Sequence, residues 1–256
     1  MNVLVLGDVV GSQGCDFLMK KLPSLKKLKH IDLCIANGEN SAAGNGILPA
    51  SANRMFDSGV DVITTGNHVY RRKEIYSFLD ECPRVIRPAN YSSSNPGKGY
   101  CTVDMGKCVV CVINISGSYG LESAENAFEC ADKVFKETEN YKIRIVDFHA
   151  EATSEKRAMG FFLDGRASVV FGTHTHIQTA DEQILPNKTG YITDVGMCGV
   201  IDSVLGVKKE IVIEKLRFNM PTRFDAADGE CMINGCIFEI DERTGNCISV
   251  ERLNVK

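Results

Sequence analysis

Short apolar runs alternate with polar clusters through roughly the first two thirds of the chain. Five runs are rich in Val, Ile and Leu, which is typical of strands that a parallel sheet buries on both faces. They are Val3-Leu4-Val5-Leu6, Leu33-Cys34-Ile35-Ala36, Val60-Asp61-Val62-Ile63, Ile143-Arg144-Ile145-Val146 and Val169-Val170-Phe171. Apolar residues at helical spacing lie between them, and they predict helices over residues 17–28, 49–56, 71–79, 122–139 and from Thr153 onward, the last with a capping hydroxyl.

The last third of the chain has a different pattern. Residues 211–213, 231–240 and 247–253 are predicted to be strands, and residues 241–245 a hairpin loop. The sequence contains no repeat, no low-complexity tract and no convincing linker. We therefore expect one domain over residues 1–256, of the α/β class, with a β-rich C-terminal portion.

A short polar cluster follows each of the five apolar runs. In open α/β sheets the ligand crevice lies at the carboxyl ends of the strands, so clusters from distant parts of the chain should meet at one edge. These clusters are Gly7-Asp8-Val9-Val10-Gly11, Gly38-Glu39-Asn40, Gly66-Asn67-His68, Phe148-His149-Ala150-Glu151 and Gly172-Thr173-His174-Thr175-His176.

The side chains in these clusters form a metal-ligand set. Carboxylates mixed with imidazoles favour Fe, Mn or Zn over Ca, whose ligands are all oxygen. The candidates are too many for one tetrahedral ion, and they fit two ions about 3.5–4 Å apart. Glu39 is the predicted bridge, because its two oxygens can serve both ions. The other candidate ligands are Asp8, Asn67, His149, His174 and His176.

The roles of the remaining polar residues in the clusters depend on their neighbours. His174 and His176 point to the same side if their segment is extended. His68 follows Asn67 directly, so we assign it to the substrate, as a general acid for the leaving oxygen or as a clamp on the phosphoryl group. Asn40 could ligate the first metal or donate a hydrogen bond to a phosphate oxygen.

Further polar residues could support the site from outside the ligand set. Four residues could orient the imidazoles through hydrogen bonds without binding a metal themselves: Asp147, Glu151, Thr173 and Asp194. Structural roles fit these residues equally well. Arg166 and Lys156 could meet an anionic substrate, but solvated charges are the simpler interpretation.

Composition narrows the class of protein. The 256 residues are 44% hydrophobic and 24% charged, with a net charge of −4, which argues against a basic surface for long nucleic acids. No apolar stretch approaches the length of a bilayer span, and no signal peptide is visible. The 11 cysteines are scattered, so we expect free thiols in a reducing, cytoplasmic compartment. The composition leaves self-association open.

Together the motifs resemble the calcineurin-like metallophosphoesterases, and more closely the bacterial YmdB-type branch. The resemblance covers nearly the whole chain and includes Asp8-Val9-Val10-Gly11, Asn37-Gly38-Glu39-Asn40, Gly66-Asn67-His68, residues 147–156, residues 164–167, residues 172–181 and residues 191–197. Two departures from the broad superfamily match this branch. Val10 stands where a His is usual, and Glu39 stands where the bridging residue is usually Asp.

This resemblance implies a four-layer α/β/β/α sandwich with mixed sheets and a di-metal centre, often iron, with manganese or zinc also compatible. It implies hydrolysis of small phosphodiesters, with 2′,3′-cyclic nucleotides as substrates, 3′-nucleotides as products and a metal-bound hydroxide as nucleophile. Carried over by position, one metal would be held by Asp8, Glu39, Asn40 and His176, and the other by Glu39, Asn67, His149 and His174. His68 would be the catalytic proton donor.

Two alternatives remain open at this stage. The same metals could serve a phosphomonoesterase or a nuclease, although the chain has no basic stripe with interleaved aromatics. The chain could also be a metal-binding regulatory or scaffold protein with residual esterase activity.

Overall fold

Two mixed β-sheets packed face to face form the centre of the molecule. The computed structural model describes residues 1–121 and 125–256. The strands in this part of the chain are β1 (Asn2–Leu6), β2 (Asp8–Val9), β3 (Leu33–Asn37), β4 (Val62–Thr64), β5 (Tyr100–Asp104), β6 (Val109–Ser116), β7 (Ile143–His149), β8 (Val169–Thr173), β9 (Gln183–Ile184), β10 (Gly190–Ile192), β11 (Met197–Val200), β12 (Cys231–Ile240) and β13 (Cys247–Val255). The helices are α1 (Gly11–Leu28), α2 (Pro49–Asp57), α3 (Ile75–Glu81), α4 (Ala127–Glu137), α5 (Thr153–Phe162) and α6 (Lys209–Phe218).

Both sheets mix parallel and antiparallel pairs: in the first sheet the antiparallel strand β12 lies inside the sheet, and in the second sheet the antiparallel strands β5 and β9 lie at the edges. In the first sheet the order is β2-β11-β12-β1-β3-β4, with β13 on β12, and β1, β3 and β4 run parallel. In the second sheet the order is β5-β6-β7-β8-β10-β9, and β6, β7, β8 and β10 run parallel. The parallel strands therefore place their carboxyl ends along one edge of each sheet.

Three apolar cores separate four layers. One core packs α1, α2 and α3 against the outer face of the first sheet, for example through Leu18 and Met55. A second lies between the sheets and includes Val5 and Val112. A third packs α4 and α5 on the second sheet. The predicted four-layer α/β/β/α sandwich with mixed sheets is confirmed.

The predicted strand at residues 211–213 is wrong. These residues lie inside α6, where three β-branched residues are surrounded by the helix formers Glu, Lys, Leu and Arg. No residue of α6 is buried. A short run of β-branched residues is a weak signal for a strand when the segment is not buried.

Three helices begin at other residues than predicted, α1 at Gly11, α3 at Ile75 and α4 at Ala127, and α5 begins where predicted but without the expected cap. Helix α4 begins at Ala127, because the Asn126 side chain accepts hydrogen bonds from the Phe128 and Glu129 amides at 2.9 and 3.2 Å. Residues 122–124 of the predicted helix lie outside the described residues. Helix α5 begins at Thr153 itself, so the residue at the cap position is Ala152 and the expected capping hydroxyl is absent there.

Two chain-wide expectations concern cysteines and membranes. All 11 cysteines have free thiols. None of the helices in the described ranges combines the length and the apolar character that a membrane span needs.

Candidate metal centre

The carboxyl ends of five strands bring all the predicted ligands to one place. Asp8 follows β1, and the pair Glu39-Asn40 follows β3. Beyond β4 come Asn67 and His68, while His149 is the last residue of β7. His174 and His176 follow β8. The first sheet thus contributes the oxygen ligands, and the second sheet contributes the three imidazoles.

One group of side chains gathers around His176. Its Nε2 atom lies 3.5 Å from Asp8 Oδ1 and 3.3 Å from Asn40 Nδ2. Asp8 is fully buried, and its Oδ2 atom accepts a hydrogen bond from the His174 amide at 3.1 Å. Asp8, Asn40 and His176, with Glu39 beside them, are the four residues that the resemblance assigns to the first metal.

A second group gathers around His149. Its Nε2 atom lies 3.0 Å from Asn67 Oδ1, 3.0 Å from His174 Nδ1 and 3.2 Å from Glu39 Oε1. Ligand atoms of Glu39, His149 and His174 all lie within 4.8 Å of one another. Atoms bound about 2.1 Å from one ion at right angles are about 3.0 Å apart, so these spacings match a coordination shell.

Glu39 lies between the two groups. Its Oε1 atom is 3.3 Å from Asn40 Nδ2 in the first group and 3.2 Å from His149 Nε2 in the second. Its Oε2 atom accepts a hydrogen bond from the His68 amide at 2.9 Å. One oxygen of Glu39, Oε1, therefore faces both groups, and the bridging role stays a prediction.

The orientation of His149 tests whether this donor set fits a cation. The Thr173 hydroxyl donates to Asp147 Oδ1 at 2.7 Å, so it must accept from His149 Nδ1, which lies 2.9 Å away. In a neutral imidazole this leaves the lone pair of Nε2 facing two acceptor oxygens, those of Glu39 and Asn67. Such an arrangement is favourable only around a positive charge.

A buried oxygen of Asp8 gives the same indication for the first group. Asp8 Oδ1 accepts no hydrogen bond although the side chain is fully buried, and His176 Nε2 lies 3.5 Å from it. An orphaned buried carboxylate oxygen is costly unless a cation neutralises it. The residues present therefore fit two metal ions.

Burial and neighbouring charges shift the pKa values of the imidazoles. Burial would lower the pKa of His149, but the Glu39 carboxylate raises it to about 9. Burial and then the charge of His149 lower the pKa of His174 to about 4. In the metal-free cluster a proton on His149 therefore supplies the positive charge that a cation would supply.

Each imidazole is tethered through its other nitrogen. His149 Nδ1 is bound by Thr173, His174 Nε2 lies 3.1 Å from Glu151 Oε2, and His176 Nδ1 lies 3.2 Å from the Leu205 carbonyl oxygen. Metal-bound histidines are usually held in this way, which fixes the ring and its tautomer. Thr173 and Glu151 thus occupy the orienting positions that the sequence suggested.

We had expected the segment that carries His174 and His176 to be extended, but it is not. Both residues have positive φ angles, of 96° and 63°. Their rings reach the cluster through this left-handed backbone, which non-glycine residues adopt rarely and which is concentrated at functional sites. The expected extended geometry is wrong, although the two rings still meet the same cluster.

A buried ion pair holds this segment. Lys156 Nζ donates to Asp194 Oδ2 at 2.6 Å, and both side chains are almost fully buried. The same Oδ2 atom accepts from the Thr175 hydroxyl at 2.7 Å, between the two histidines. The interpretation of Lys156 as a solvated charge is therefore wrong, whereas Arg166 does lie at the surface, where it pairs with Asp132.

The sequence analysis missed two residues that hold the ligands. Asn37, at the end of β3, accepts from the Glu39 amide at 3.1 Å, and its Nδ2 atom lies 3.2 Å from Asp147 Oδ2. Leu205 has a φ of 56° and presents its carbonyl to His176. Asn37 belongs to a strand-end motif and could have been found, whereas no local signal marks Leu205.

His68 lies at the edge of the cluster and not inside it. Its Nδ1 atom is 2.9 Å from Asn40 Oδ1, and 26% of its side chain is exposed. It lines a cavity of about 470 Å³ together with Glu39, Asn40, His174 and His176. A ring in this position can face a bound substrate.

Gly66 explains why the motif before Asn67 requires glycine. A Cβ atom at this position would lie 2.2 Å from His149 Nε2 and 2.5 Å from Glu39 Oε2. The backbone of the β4 loop therefore approaches the second group more closely than any side chain permits.

Comparison with known proteins places this site in a family. A family model described as "YmdB-like protein" matches residues 4–253. The chain is 43% identical over 254 residues to the Bacillus subtilis protein named 2′,3′-cyclic-nucleotide 2′-phosphodiesterase, covering 99% of this chain and 96% of that protein. It is 34% identical to a Mycoplasma pneumoniae protein named as a phosphatase/phosphodiesterase, covering 100% of this chain and 93% of that one.

Comparison with solved structures gives similar matches over nearly the whole chain. A hypothetical protein of Thermus thermophilus superposes with a TM-score of 0.94 at 35% identity, covering 99% of this chain and 98% of that one. A phosphatase of Mycoplasma pneumoniae gives 0.95 at 33% identity, covering 100% and 93%. These relatives confirm the predicted class, a phosphoric ester hydrolase with the metallophosphoesterase fold, and the chain belongs to the YmdB-like family.

Proposed function

We propose that this chain is a di-metal phosphodiesterase that hydrolyses small phosphodiesters, with 2′,3′-cyclic nucleotides as substrates and 3′-nucleotides as products. The observation that carries the proposal is the convergence of two ligand groups on Glu39, one containing His176 and the other containing His149 and His174. The name of the Bacillus subtilis relative supports the substrate class and the cleavage of the 2′ bond.

The two groups divide the ligands between two ions. In this proposal Asp8, Glu39, Asn40 and His176 hold the first ion, and a second set holds the other: Glu39, Asn67, His149 and His174. When bound, the ions supply an activated water and positive charge for the phosphoryl oxygens. Iron fits this mixture of carboxylate, amide and imidazole ligands, as do manganese and zinc.

His68 is the proposed proton donor to the leaving ribose oxygen. Its backbone amide is held by Glu39 and its Nδ1 atom lies 2.9 Å from Asn40 Oδ1, so Nε2 is the nitrogen free to serve a substrate. Asn40 Oδ1 thereby contacts the catalytic ring, while Nδ2 faces Glu39 and His176, so ligation of the first ion through Oδ1 requires the Asn40 amide to turn over.

One catalytic domain in the cytoplasm is the simplest organisation for this activity. Strand β1 from the start of the chain pairs with β12 from its last part, so both ends contribute to the sheet that holds Asp8 and Glu39. The net charge of −4 suits a small nucleotide better than a long nucleic acid.

The proposal is tested by incubating metal-loaded protein with 2′,3′-cyclic AMP and identifying the product isomer, with a chelator-treated sample as control. Chelator-sensitive formation of 3′-AMP is expected. Formation of 2′-AMP would contradict the assignment of the cleaved bond. Absence of turnover with two ions bound would contradict the substrate class and favour a phosphomonoester, a nucleic acid or the regulatory role.

A further inference from the structure

The cavity beside the metal centre has two chemically different sides. One side carries the polar residues of the cluster, including Glu39, His68 and His176. Another part of the lining is formed by residues 205–207 and 224–226, which include Leu205, Val207 and Phe224. We call these three side chains the apolar wall. A cavity of about 470 Å³ with a few convergent polar groups and an apolar remainder is typical of a small-molecule site.

Backbone hydrogen bonds join the two segments of the apolar wall. The Ala227 amide donates to the Gly206 carbonyl at 2.9 Å, and the Lys208 amide donates to the Asp225 carbonyl at 3.0 Å. Residues separated by helix α6 therefore form a single face. Val207 lies opposite Ala226 in this antiparallel pairing, so the segment that carries Phe224 is held against the segment that carries Val207.

The apolar wall is fixed to the metal centre. The Leu205 carbonyl lies 3.2 Å from Nδ1 of the proposed ligand His176, and Leu205 keeps a positive φ of 56°. A Cβ atom on Gly206 would lie 2.4 Å from Val10, which follows Asp8 by two positions. Two contacts therefore fix the position of the apolar wall relative to the proposed ligands: Leu205 with His176, and Gly206 with Val10.

Phe224 has the surroundings of a ring that binds a ligand. It is 46% exposed, although it lines a cavity. The Lys215 ammonium lies 4.4 Å from its ring centroid and covers one face of the ring. A nucleobase has a π face of its own, and it stacks on aromatic side chains without requiring a specific pattern of hydrogen bonds.

We propose that the apolar wall is a nucleobase subsite, in which Phe224 stacks on the base while the phosphate lies at the metal centre. This inference rests on the proposed function, because it requires a nucleotide substrate. It also predicts weak discrimination among the four bases, since stacking alone tolerates every base.

A fluorescence titration tests the subsite independently of turnover. The chain contains no Trp, so Phe224→Trp introduces a single indole at the wall. Titration of the metal-loaded variant with 3′-AMP should quench its emission, whereas inorganic phosphate should not. Phe218→Trp is the matched control, because Phe218 is 56% exposed and has Arg217 over its ring but does not line the cavity. Its emission should not respond to 3′-AMP.

A kinetic comparison tests the same subsite through the substrate. Phe224→Ala should reduce kcat/KM for 2′,3′-cyclic AMP about tenfold more than for glycerol 1,2-cyclic phosphate, which has the cyclic ester but no base. The loss should appear in KM, because stacking acts equally on the ground state and the transition state. Phe218→Ala should leave both substrates unaffected.

The outcomes separate the subsite from the activity. Equal losses on both substrates, or no response of Phe224→Trp to 3′-AMP, would overturn the subsite while leaving the phosphodiesterase in place. If the wild-type protein hydrolyses neither substrate, the proposed function fails, and the fluorescence titration alone decides whether a base binds at Phe224.

Discussion

The two sheets contribute different chemistry to the metal centre. Residues that follow the first sheet supply oxygen ligands, and they are fixed close to their own strands, as when Asn37 holds the Glu39 amide. The second sheet supplies imidazoles, and each ring depends on a separate partner: Thr173, Glu151 or the Leu205 carbonyl. The positions of the oxygen ligands, which we call the oxygen side, therefore depend mainly on where their strands end. The positions of the three imidazoles, the nitrogen side, depend on hydrogen bonds from each ring to its own partner.

Glu39 is the residue that joins the two sides, so its loss should have the largest effect. Glu39→Gln should lose metal and activity together, with kcat/KM for 2′,3′-cyclic AMP falling roughly 1,000-fold, because metal-ion catalysis is worth several kcal/mol. Elemental analysis after dialysis and an activity assay on the same sample measure both. Full occupancy by two ions in Glu39→Gln would refute the bridging assignment.

Substitution of Lys156 tests whether its buried ion pair with Asp194 holds the segment that carries His174 and His176. Lys156→Met should lower the free energy of unfolding by about 3–5 kcal/mol, because it leaves the Asp194 carboxylate buried without its partner. Urea denaturation measures the loss. The double variant Lys156→Met/Asp194→Asn should recover part of it by removing the orphaned charge.

Lys133→Met provides a control for that prediction. Lys133 pairs with Glu125, but the two side chains are 61% and 47% exposed, so solvent screens this pair and its loss should barely change the free energy of unfolding. If Lys156→Met were as mild as Lys133→Met, the buried pair would not be what holds the segment of His174 and His176.

His68 lies on the oxygen side without belonging to the ligand set. His68→Ala should keep both ions and reduce kcat for 2′,3′-cyclic AMP about 100-fold, the contribution expected of a general acid. Metal content and turnover should be measured on one preparation. His30→Ala, which changes the one histidine outside the cluster, should behave as wild type. Loss of metal in His68→Ala would make His68 a ligand.

Removing the Thr173 hydroxyl should have the smallest effect, because it weakens only one of the hydrogen bonds that hold the imidazoles. Thr173→Val keeps the shape of the side chain but removes the hydroxyl that holds His149 Nδ1, so metal affinity should fall about tenfold. Competition with a chromophoric chelator measures the affinity. Thr138→Val removes an equally buried hydroxyl that binds only a helix carbonyl, and it should not change metal affinity. Equal affinities in both variants would argue against tethering.

The sequence brings the candidate ligands together because they follow one rule. Parallel strands buried on both faces give continuous apolar runs, and the residues after them share one edge, so Asp8, Glu39 and His149 could be placed together without a structure. The four layers came from the resemblance. The domain boundaries and the roles of the site residues stay predictions that the experiments above test.

Other parts of the site depend on contacts that no local pattern records. The left-handed backbone at His174 and the burial of Lys156 arise from Asp194, which lies far along the chain from Lys156. Helix α6 was mistaken for a strand because Ile211-Val212-Ile213 resembles one when its exposed setting is unknown. The apolar wall could not be predicted either, since its two segments are separated in sequence by that helix and are joined only by the pairing of Val207 with Ala226.

The most direct test of the di-metal account is a crystal structure of manganese-loaded protein with anomalous scattering measured at the manganese edge. The account predicts two peaks about 3.5–4 Å apart on either side of Glu39. One should be surrounded by Asp8, Asn40 and His176, and the other by Asn67, His149 and His174. A single peak, or two peaks that Glu39 does not bridge, would contradict the account.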